Sequence, residues 1–385
     1  MGSRLATPTA EGLPIDWGIH PVKPEVSVII PVYNGAELLA DCIDCIERGD
    51  VAPDQIVVVD DGSTDGSAEV AAERGAHVLS CPERSGPARA RNIGARAARG
   101  DVVLFLDADV LAAPDVVDRV QRAFEQAPDL DAIIGSYDEK PSSAGFVSRF
   151  RNLLHCFVHH QGRKKASTFW SGCGAIRRSV FLAAGGFDET YERPAIEDIE
   201  LGYRLNAAGH SITLDPDISV KHRKHWTLRT MIQTDIFDRG IPWTQLIWRH
   251  RKMPDDLNLR VDQRLSVALV GITIASSLAM VAAGSWPGSG WSAARAAAAF
   301  ALVWTMGLAG VGALNASLMR FLARTRGAGF ALASLPLLAI HFACGGLAFM
   351  LGTLSHAMGY NIPRAAPAPI EEAPRVRAAS AGSAK

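Results

Sequence analysis

The last third of this 385-residue chain contains almost no acidic residues. No aspartate or glutamate occurs between Asp262 and Glu371, and the only charged side chains in that interval are six arginines. Residues 264–385 hold 9 basic and 2 acidic residues, which leaves 30 basic and 38 acidic residues in 1–263. The net charges of +7 and −8 exclude a uniformly soluble protein. The acidic first part also lacks the basic stripe of a nucleic-acid-binding protein, so no nucleic-acid partner is predicted.

Cysteine is also sparse, with six residues scattered along the chain. They form no dense, even framework, so the sequence does not predict a disulfide scaffold. Cys42 and Cys45 have the spacing of a redox motif. Apolar residues surround them at helical spacing, which favours packing on a helix face over redox chemistry.

Three long apolar stretches occupy the acid-poor part, at about residues 265–283, 296–319 and 330–357. A helix needs about 20 apolar residues to cross the hydrocarbon core of a bilayer. Buried helices of a soluble bundle are the alternative, but such helices normally carry a polar face, and these carry almost none. The sequence therefore predicts a membrane region at 263–359 with three transmembrane helices.

The loops between these stretches predict how the chain is oriented. The connection after the second stretch carries Arg320, Arg324 and Arg326, whereas the connection after the first is neutral and contains tryptophan. Basic loops remain in the cytosol, and the first 25 residues lack the pattern of a cleaved export signal. We therefore expect an integral protein of the cell inner membrane whose amino-terminal part is cytosolic. The Ala/Pro/Arg-rich tail, 360–385, is predicted to be disordered and outside, but its basic residues leave a re-entrant third segment open.

Two further segments mix aromatic and basic residues at roughly helical spacing, which is typical of helices lying in the headgroup layer. The first, 226–262, directly precedes the membrane region. The second, 149–165, contains His155, His159 and His160. These histidines also allow a zinc site, but few other metal-ligating side chains accompany them, so an interfacial helix that contacts membrane lipids is favoured.

Residues 24–225, which follow an amino-terminal extension at 1–23, alternate strand-like and helix-like patterns. Continuously apolar strands separated by helices predict an α/β fold, with a mostly parallel sheet between helices. Strands are expected at 26–31, 55–60, 76–80 and 101–106, and helices at 36–47, 66–74 and 87–98.

Carboxylates follow two of these strands directly, as Asp60 and Asp61 after one and Asp107 and Asp109 after another. Ligands of open α/β sheets bind at the carboxyl ends of strands. Paired carboxylates there suit a divalent cation such as Mg²⁺ or Mn²⁺ together with a phosphate-bearing ligand. Each motif alone is common in ordinary turns, so the prediction depends on their joint placement.

Seven motifs in order resemble the family 2 glycosyltransferases of the GT-A fold, which bind nucleotide-diphospho-sugars. The resemblance covers roughly residues 24–225, beyond which the membrane helices follow. Its motifs are VIIPVYN at 28–34, DDGSTD at 60–65, GPARARN at 86–92, FLDAD at 105–109, GCGAIRR at 172–178, GGFDE at 185–189 and EDIELGYRL at 197–205.

The resemblance implies roles for individual residues around a nucleotide sugar, with a UDP-sugar favoured. Asp109 would hold the metal, and His222 is a second metal candidate that could instead be structural. Asp107 would face the ribose or sugar, Tyr33 would stack on the base, and Asp61 would bond a uracil-like edge. The donor set is Pro31, Tyr33, Asp60, Asp61, Arg91 and Asp107, of which Arg91 could be only a solvated helix charge.

The acceptor side follows from the Glu-Asp pair at 197–198. Asp198 is the expected general base, which takes the proton of the attacking hydroxyl. Glu197, Gly172 and Trp170 are acceptor-side candidates, although a core role for Trp170 is nearly as well supported. An acidic pair at a helix start is also favoured by the helix dipole, so both readings of Glu197 and Asp198 stand.

The predicted function is therefore metal-dependent, inverting transfer of a sugar to a lipid or lipid-linked saccharide at the membrane. Processive polysaccharide synthases of this family carry Gln-x-x-Arg-Trp after the Glu-Asp region, and that motif is absent here. The absence favours addition of one or a few sugars over a processive synthase. A catalytically weak GT-A domain used for membrane assembly is the other alternative, but Asp61, Asp107, Asp109 and Asp198 are all present.

Overall fold

A computed structural model describes residues 23–49, 52, 55–284 and 292–360. The predicted extension, the tail and the first inter-helix loop lie outside these residues, apart from a few at their edges. An eight-stranded mixed sheet forms the amino-terminal part, with the strand order β3-β2-β1-β4-β7-β6-β8-β5. The strands are β1 (Val26–Val32), β2 (Ile56–Asp60), β3 (His77–Ser80), β4 (Val102–Leu106), β5 (Val110–Ala112), β6 (Ala132–Tyr137), β7 (Cys173–Arg177) and β8 (Ile212–His222).

Helices cover the sheet because its central strands are apolar on both faces. Every residue of β2 and β4 is buried, as expected for strands without a solvent face. The covering helices are α1 (Ala36–Glu47), α2 (Ser67–Glu73), α3 (Pro87–Ala97), α4 (Val116–Gln126), α5 (Phe146–His160), α6 (Arg178–Ala183) and α7 (Glu197–Ala207). On α1, Cys42 is fully buried beside Leu39 and Ile43, and both it and Cys45 are free thiols.

The pairing of the strands brings several chain segments to one edge of the sheet. β1 pairs in parallel with β2 and β4, and β2 with β3, so their carboxyl ends coincide. β7 runs antiparallel to β4, and Leu106 pairs with Cys173, so the segment before β7 reaches the same edge. His222 at the end of β8 pairs with Val110. Sequence reasoning did not identify β7, whose antiparallel direction brings residues 170–172 to this edge.

The carboxyl-terminal part is helical. It begins with α8 (Leu228–Gln233), a π-helical segment Thr234–Gly240 and α9 (Ile241–His250), and a 3₁₀ turn Leu257–Leu259 follows. The remaining helices are α10 (Val261–Gly284), α11 (Ala293–Leu314), α12 (Ala316–Arg326) and α13 (Ala328–Ala357). By length and composition, α10, α11 and α13 can cross a membrane.

The second predicted span is wrong at its end. It was expected to continue to residue 319, but α11 ends at Leu314 and a separate helix, α12, begins after Asn315. Asn315 is buried and donates from Nδ2 to Ser266 Oγ at 2.9 Å, while Gln263 donates to its Oδ1 at 3.2 Å. These polar contacts across to α10 fix the break between the two helices.

The expectation for residues 149–165 was also wrong. Instead of lying on a membrane surface, α5 is enclosed between the sheet and the carboxyl-terminal helices, with nine of its side chains buried, including Phe150 and Arg151. Arg151 pairs with the buried Asp235 of the π-helical segment, and Asp235 Oδ2 lies 2.7 Å from His341 Nδ1 on α13. This buried cluster joins the α/β domain to a membrane-type helix.

Candidate active site

Asp107 and Asp109 lie at the sheet edge where β4 ends, and His222 is beside them. His222 Nε2 is 3.5 Å from Asp109 Oδ2, and its Nδ1 is 3.0 Å from Asn152 Oδ1 on α5. Tyr137 stacks on the His222 ring with the centroids 4.6 Å apart. Burial opposes ionisation of Asp109, but the hydrogen bond and charge of His222 keep the pKa of Asp109 below its ordinary value. Asp109 is therefore ready to act as an anionic ligand.

Arg91 connects the two halves of this edge. It is buried on α3, where its Nη2 donates to Asp107 Oδ1 at 2.6 Å and its Nη1 donates to Glu197 Oε1 at 3.0 Å. The alternative of a solvated helix charge is therefore wrong. Burial raises the pKa of Glu197 and the charge of Asp198 acts in the same direction, whereas Arg91 opposes them. A planar guanidinium with fixed donors can hold two carboxylates at a defined separation.

Asp198 lies at the start of α7, next to Glu197. The hydroxyl and backbone amide of Ser171 both donate to Asp198 Oδ2, at 3.4 and 3.1 Å, and the Ile199 amide donates to Oδ1 at 2.7 Å. Asp198 remains partly exposed, whereas Glu197 is buried and also accepts from the Ala195 amide at 2.9 Å. Of the two carboxylates, Asp198 is the one that an incoming molecule can reach.

The predicted donor-side residues differ in their exposure and in the hydrogen bonds that they already make within the protein. Tyr33 is 43% exposed, and the guanidinium of Arg84 lies over its ring at 4.2 Å from the centroid. Asp61 is buried and accepts from the Ser85 amide and hydroxyl, both at 2.7 Å, and from the Gly86 amide at 2.8 Å. Asp61 therefore also has a structural role that the sequence did not predict: its hydrogen bonds hold the loop before α3 against the sheet.

Asp60 and Pro31 have mainly backbone roles. Asp60 is buried and accepts from the Ser63 amide at 3.0 Å, which shapes the turn after β2. Pro31 pairs with Val59 in the sheet. Both lie at the same edge as the reactive carboxylates, but each acts there through the turn or strand that it supports.

Trp170 and Gly172 lie just before β7. The Trp170 ring meets His159 and Tyr137 edge-on, at centroid distances of 4.6 and 4.8 Å. A β-carbon at Gly172 would lie 2.8 Å from atoms of the Trp170 ring, so only glycine allows this approach. Trp170 is thus packed on one side by aromatic rings and is partly exposed. Its packing agrees with a core role, and its partial exposure agrees with contact to an acceptor.

Sequence reasoning missed four residues of this site. Ser171 stands between two residues that were singled out, so its position carried a signal. Arg84, Tyr137 and Asn152 had none, because only the fold brings them beside Tyr33 and His222. Within the described ranges, no group of three or more His, Cys, Asp or Glu side chains could hold a metal ion by itself. A cation at Asp109 and His222 would need further ligands from a bound molecule or water.

Comparison with known proteins identifies the family. Residues 27–183 match the family model "Glycosyl transferase family 2". Validoxylamine A glucosyltransferase of Streptomyces hygroscopicus subsp. limoneus is 31% identical over 225 residues, 50% of each chain. The O-antigen chain rhamnosyltransferase RfbN of Salmonella typhimurium is 25% identical over 237 residues, covering 57% of this chain and 74% of that protein.

A solved structure, the mannosyltransferase PcManGT of Pyrobaculum calidifontis in complex with GDP-Man and Mn²⁺, is 18% identical with a TM-score of 0.48 and 88% coverage of both chains. The chain spans about half the length of the first curated relatives it matches. The matched residues include Asp60, Asp61, Asp107 and Asp109. Residues 27–183 of the chain are therefore a family 2 glycosyltransferase region.

Proposed function

We propose that the protein is an inverting glycosyltransferase that moves a sugar from a nucleotide-sugar donor to a lipid or lipid-linked acceptor at the membrane. The observation that carries this proposal is the bridge that Arg91 makes between Asp107 and Glu197. It holds the donor-side carboxylates and the Glu197–Asp198 pair at one sheet edge. A domain used only for assembly has no need of this arrangement.

The donor would bind along the ends of β1, β2 and β4. Tyr33 offers an exposed ring for the base, and Asp61 and Asp107 would contact the nucleoside and sugar, with a UDP-sugar favoured. Asp109 and His222 fit a divalent cation, Mg²⁺ or Mn²⁺, because they present an oxygen and a nitrogen ligand side by side. Such a cation stabilises the negative charge that develops on a diphosphate leaving group.

Asp198 would remove the proton from the acceptor hydroxyl as that oxygen attacks the anomeric carbon. Its hydrogen bonds from Ser171 and Ile199 hold the carboxylate in place. Glu197 is buried and already paired, so it is a poor candidate for a covalent nucleophile. One base and direct displacement invert the anomeric centre, so an α-linked donor would give a β-linked product.

The membrane helices would keep this site close to its acceptor. The α/β domain and the π-helical segment are both joined to α13, through Arg151, Asp235 and His341. We propose that the domain is cytosolic and that 226–262 lies at the membrane surface. The absence of Gln-x-x-Arg-Trp from the sequence supports addition of one or a few sugars, and so does the presence of three candidate spanning helices among the described residues.

The test is to incubate membranes containing the protein with labelled UDP-, GDP- and dTDP-sugars and to extract the lipid. We expect label in the lipid fraction with one donor, and an about 10²–10⁴-fold loss of transfer in Asp198→Asn. Asp217→Asn is the matched control, because Asp217 is an exposed carboxylate on β8.

Full activity of Asp198→Asn, or retained anomeric configuration in the product, would contradict the mechanism. Label found only in a long water-soluble polymer would show a processive synthase instead. No donor turnover with any nucleotide sugar would favour the assembly protein.

A further inference from the structure

The two ring nitrogens of His222 face different side chains. Nε2 lies 3.5 Å from Asp109 Oδ2, on the side where a cation fits, and Nδ1 lies 3.0 Å from Asn152 Oδ1 on α5. His222 and Asn152 are both buried, with 6% and 2% of their surfaces exposed. Because both side chains are buried, Asn152 rather than solvent is the partner of Nδ1.

The contact with Asn152 determines which nitrogen of the ring carries the proton. A neutral imidazole has one N–H donor and one nitrogen with a free lone pair, and either nitrogen can take either role. The amide oxygen of asparagine only accepts hydrogen bonds, so Nδ1 is the donor in this pair. The free lone pair is then on Nε2, the nitrogen that faces Asp109. Histidine binds a metal ion through the nitrogen that has the free lone pair.

Asn152 leaves one of its own groups unpaired in this orientation. Its Nδ2 is buried and has no hydrogen-bond partner among the described residues. Unpaired buried donors are uncommon in folded proteins because they are costly. A side chain that served only to fill space at this position would not carry such a donor. The unpaired nitrogen therefore points to a role for the Oδ1 end of the amide.

The helix that carries Asn152 is held by buried contacts. The preceding residue, Arg151, pairs with the buried Asp235, which connects α5 to the π-helical segment. One turn earlier, the buried Ser148 accepts from the Trp226 amide at 3.1 Å, which holds α5 against the chain that leaves β8. Movement of Asn152 away from β8 would break these contacts.

The plane of the His222 ring is fixed separately. The Tyr137 ring stacks on it, with the centroids 4.6 Å apart and the planes inclined by 18°. In the sheet, His222 pairs with Val110, the residue that follows Asp109. Tyr137 and the strand pairing therefore determine where the ring lies, and Asn152 determines which nitrogen is protonated.

We propose that Asn152 is a positioning residue for the cation: it holds the proton of His222 on Nδ1, so that Nε2 presents its lone pair to a divalent cation beside Asp109. This inference rests on the proposed function, since the cation belongs to the same site. Asn152 acts on the cation only through His222, and it extends the site from the sheet edge to α5.

The experiment measures Mn²⁺ binding to the metal-free full chain in phosphatidylcholine nanodiscs, by electron paramagnetic resonance of the free ion. Asn152→Leu has a side chain of similar size and lacks the acceptor. We expect it to raise the Mn²⁺ dissociation constant about 10–100-fold, as when the outer partner of a metal-binding histidine is removed. Asn152→Asp keeps an acceptor oxygen, so it should bind Mn²⁺ within about threefold of the wild type or more tightly.

A second readout shows whether a histidine nitrogen binds the ion. In protein labelled with ¹⁵N-histidine, pulsed electron paramagnetic resonance of bound Mn²⁺ should detect coupling to ¹⁵N in the wild type and in Asn152→Asp. The coupling should be weaker in Asn152→Leu. It should be lost in His222→Phe, which keeps a ring against Tyr137 and has no ring nitrogen.

Two comparisons separate this role from a purely structural one. If Asn152 acts through His222, adding Asn152→Leu to His222→Phe should not weaken Mn²⁺ binding further, since residues that act together are not additive. Ser148→Ala is the matched control on the same helix, because Ser148 is buried and bonds the chain after β8 rather than His222. It should lower the unfolding free energy and leave the Mn²⁺ dissociation constant unchanged.

Three results would overturn the role of Asn152 itself. They are equal weakening of Mn²⁺ binding by Asn152→Leu and Asn152→Asp, equal weakening by Asn152→Leu and Ser148→Ala, and an undiminished effect of Asn152→Leu in the His222→Phe background. Absence of ¹⁵N coupling in the wild type would overturn it as well, because His222 would then not bind the ion.

Sugar transfer from the labelled donors, measured on the same samples, distinguishes this inference from the proposed function. If the wild-type protein transfers no sugar but its Mn²⁺ binding depends on Asn152 as expected, the proposed function fails and the positioning role stands. If it transfers sugar and Asn152→Leu leaves Mn²⁺ binding unchanged, only the positioning role fails.

Discussion

At the scale of single residues, Arg91 contacts carboxylates in both halves of the candidate site. The role assigned to it from the sequence included only the donor side. Arg91 is buried, and its two terminal nitrogens pair with Asp107, directly after β4, and with Glu197 of α7, 90 positions later in the chain. Arg91 and Glu197 are buried, and burying charged groups is favourable only when each is paired. Arg91 therefore contributes both to stability and to the spacing of the two halves of the site.

Replacing Arg91 with methionine should leave Asp107 and Glu197 without their shared cation. We expect the protein to lose about 3–5 kcal/mol of unfolding free energy, as when one partner of a buried ion pair is removed. Chemical denaturation of the detergent-solubilised chain would measure it. Arg89→Met is the control, because Arg89 is exposed on the same helix and lies 4.0 Å from its partner Glu189. Similar losses in both variants would contradict the bridging role.

Buried histidines should make the protein sensitive to acid. Burial lowers the pKa of His159 to about 3 and that of His155 well below its ordinary value. In the unfolded chain these groups bind a proton near pH 6.5, whereas in the folded protein they do not. Stability should therefore fall as the pH is lowered from about 6.5 towards 3, by up to about 1.4 kcal/mol per pH unit for each histidine.

His159→Phe should reduce this slope, since phenylalanine keeps the ring packing against Trp170 and cannot bind a proton. Unfolding free energies measured between pH 7 and pH 4 would give the slope for each protein. His77→Phe, at an exposed position on β3, should keep the wild-type slope. An unchanged slope in His159→Phe would show that His159 is protonated in the folded state.

At the scale of secondary-structure elements, the junction between the π-helical segment and α13 decides how the two parts of the molecule meet. A π-helix is rare and often occurs at functional positions. Here the segment brings Asp235 to Arg151 on one side and Gly240 to α13 on the other. A β-carbon at Gly240 would lie 2.4 Å from Ala348 Cβ and 2.3 Å from the Asp235 carbonyl oxygen.

Gly240→Ala should force this junction apart, because neither contact is with the flexible end of a side chain. We expect a loss of about 1–3 kcal/mol, typical of overpacking a close contact, and faster proteolysis between 226 and 262. Gly271→Ala is the control, since a β-carbon there meets no atom within 4 Å on α10. Equal protease resistance of the two variants would contradict the close contact.

At the scale of the whole molecule, the acidic part of the chain, 1–263, contains the α/β domain. The basic part, 264–385, contains nearly all residues of the long apolar helices. The basic helix α12 packs against the α/β domain. The ring centroids of Phe321 and Phe157 are 5.5 Å apart, and Arg324 Nη2 lies 3.1 Å from Glu139 Oε1. The structure therefore places the basic connection beside the α/β domain. This is the side that the positive-inside rule predicts to be cytosolic.

Cysteine labelling tests this orientation. In a variant with Cys45 and Cys81 replaced by serine, Arg326→Cys should react with a membrane-impermeant maleimide only after the cells are lysed. Ala294→Cys, at the exposed start of α11, should react in intact cells. The reverse pattern would place the α/β domain outside the cytosol.

Several elements could be predicted closely because their causes are local. The bounds predicted for the first helix are those of α1, since apolar residues at helical spacing and the flanking turn residues define it. The first four strands of the predicted sheet agree with β1 to β4 within about one residue, because buried parallel strands are continuous apolar runs. The clustering of Asp60, Asp61, Asp107 and Asp109 followed from the parallel pairing of those strands.

Other features depended on contacts between distant parts of the chain. Nothing local marks Asn315 as the end of α11, because the apolar pattern continues past it, and the break depends on contacts with Gln263 and Ser266. The basic and aromatic pattern of α5 resembled a membrane-surface helix, but its Arg151 is neutralised by Asp235, 84 positions later. A charge that is paired in the interior looks the same in the sequence as one that faces solvent.

The sequence by itself determined the composition of each part: an α/β domain with carboxylates after its strands, and helices apolar enough to enter a bilayer. These follow from periodicity, residue type and segment length, which are properties of neighbouring residues. Only the tertiary structure decided that Arg91 joins Asp107 to Glu197 and that Asn152 contacts His222. Each of these depends on the folded chain bringing together side chains that are far apart in the sequence.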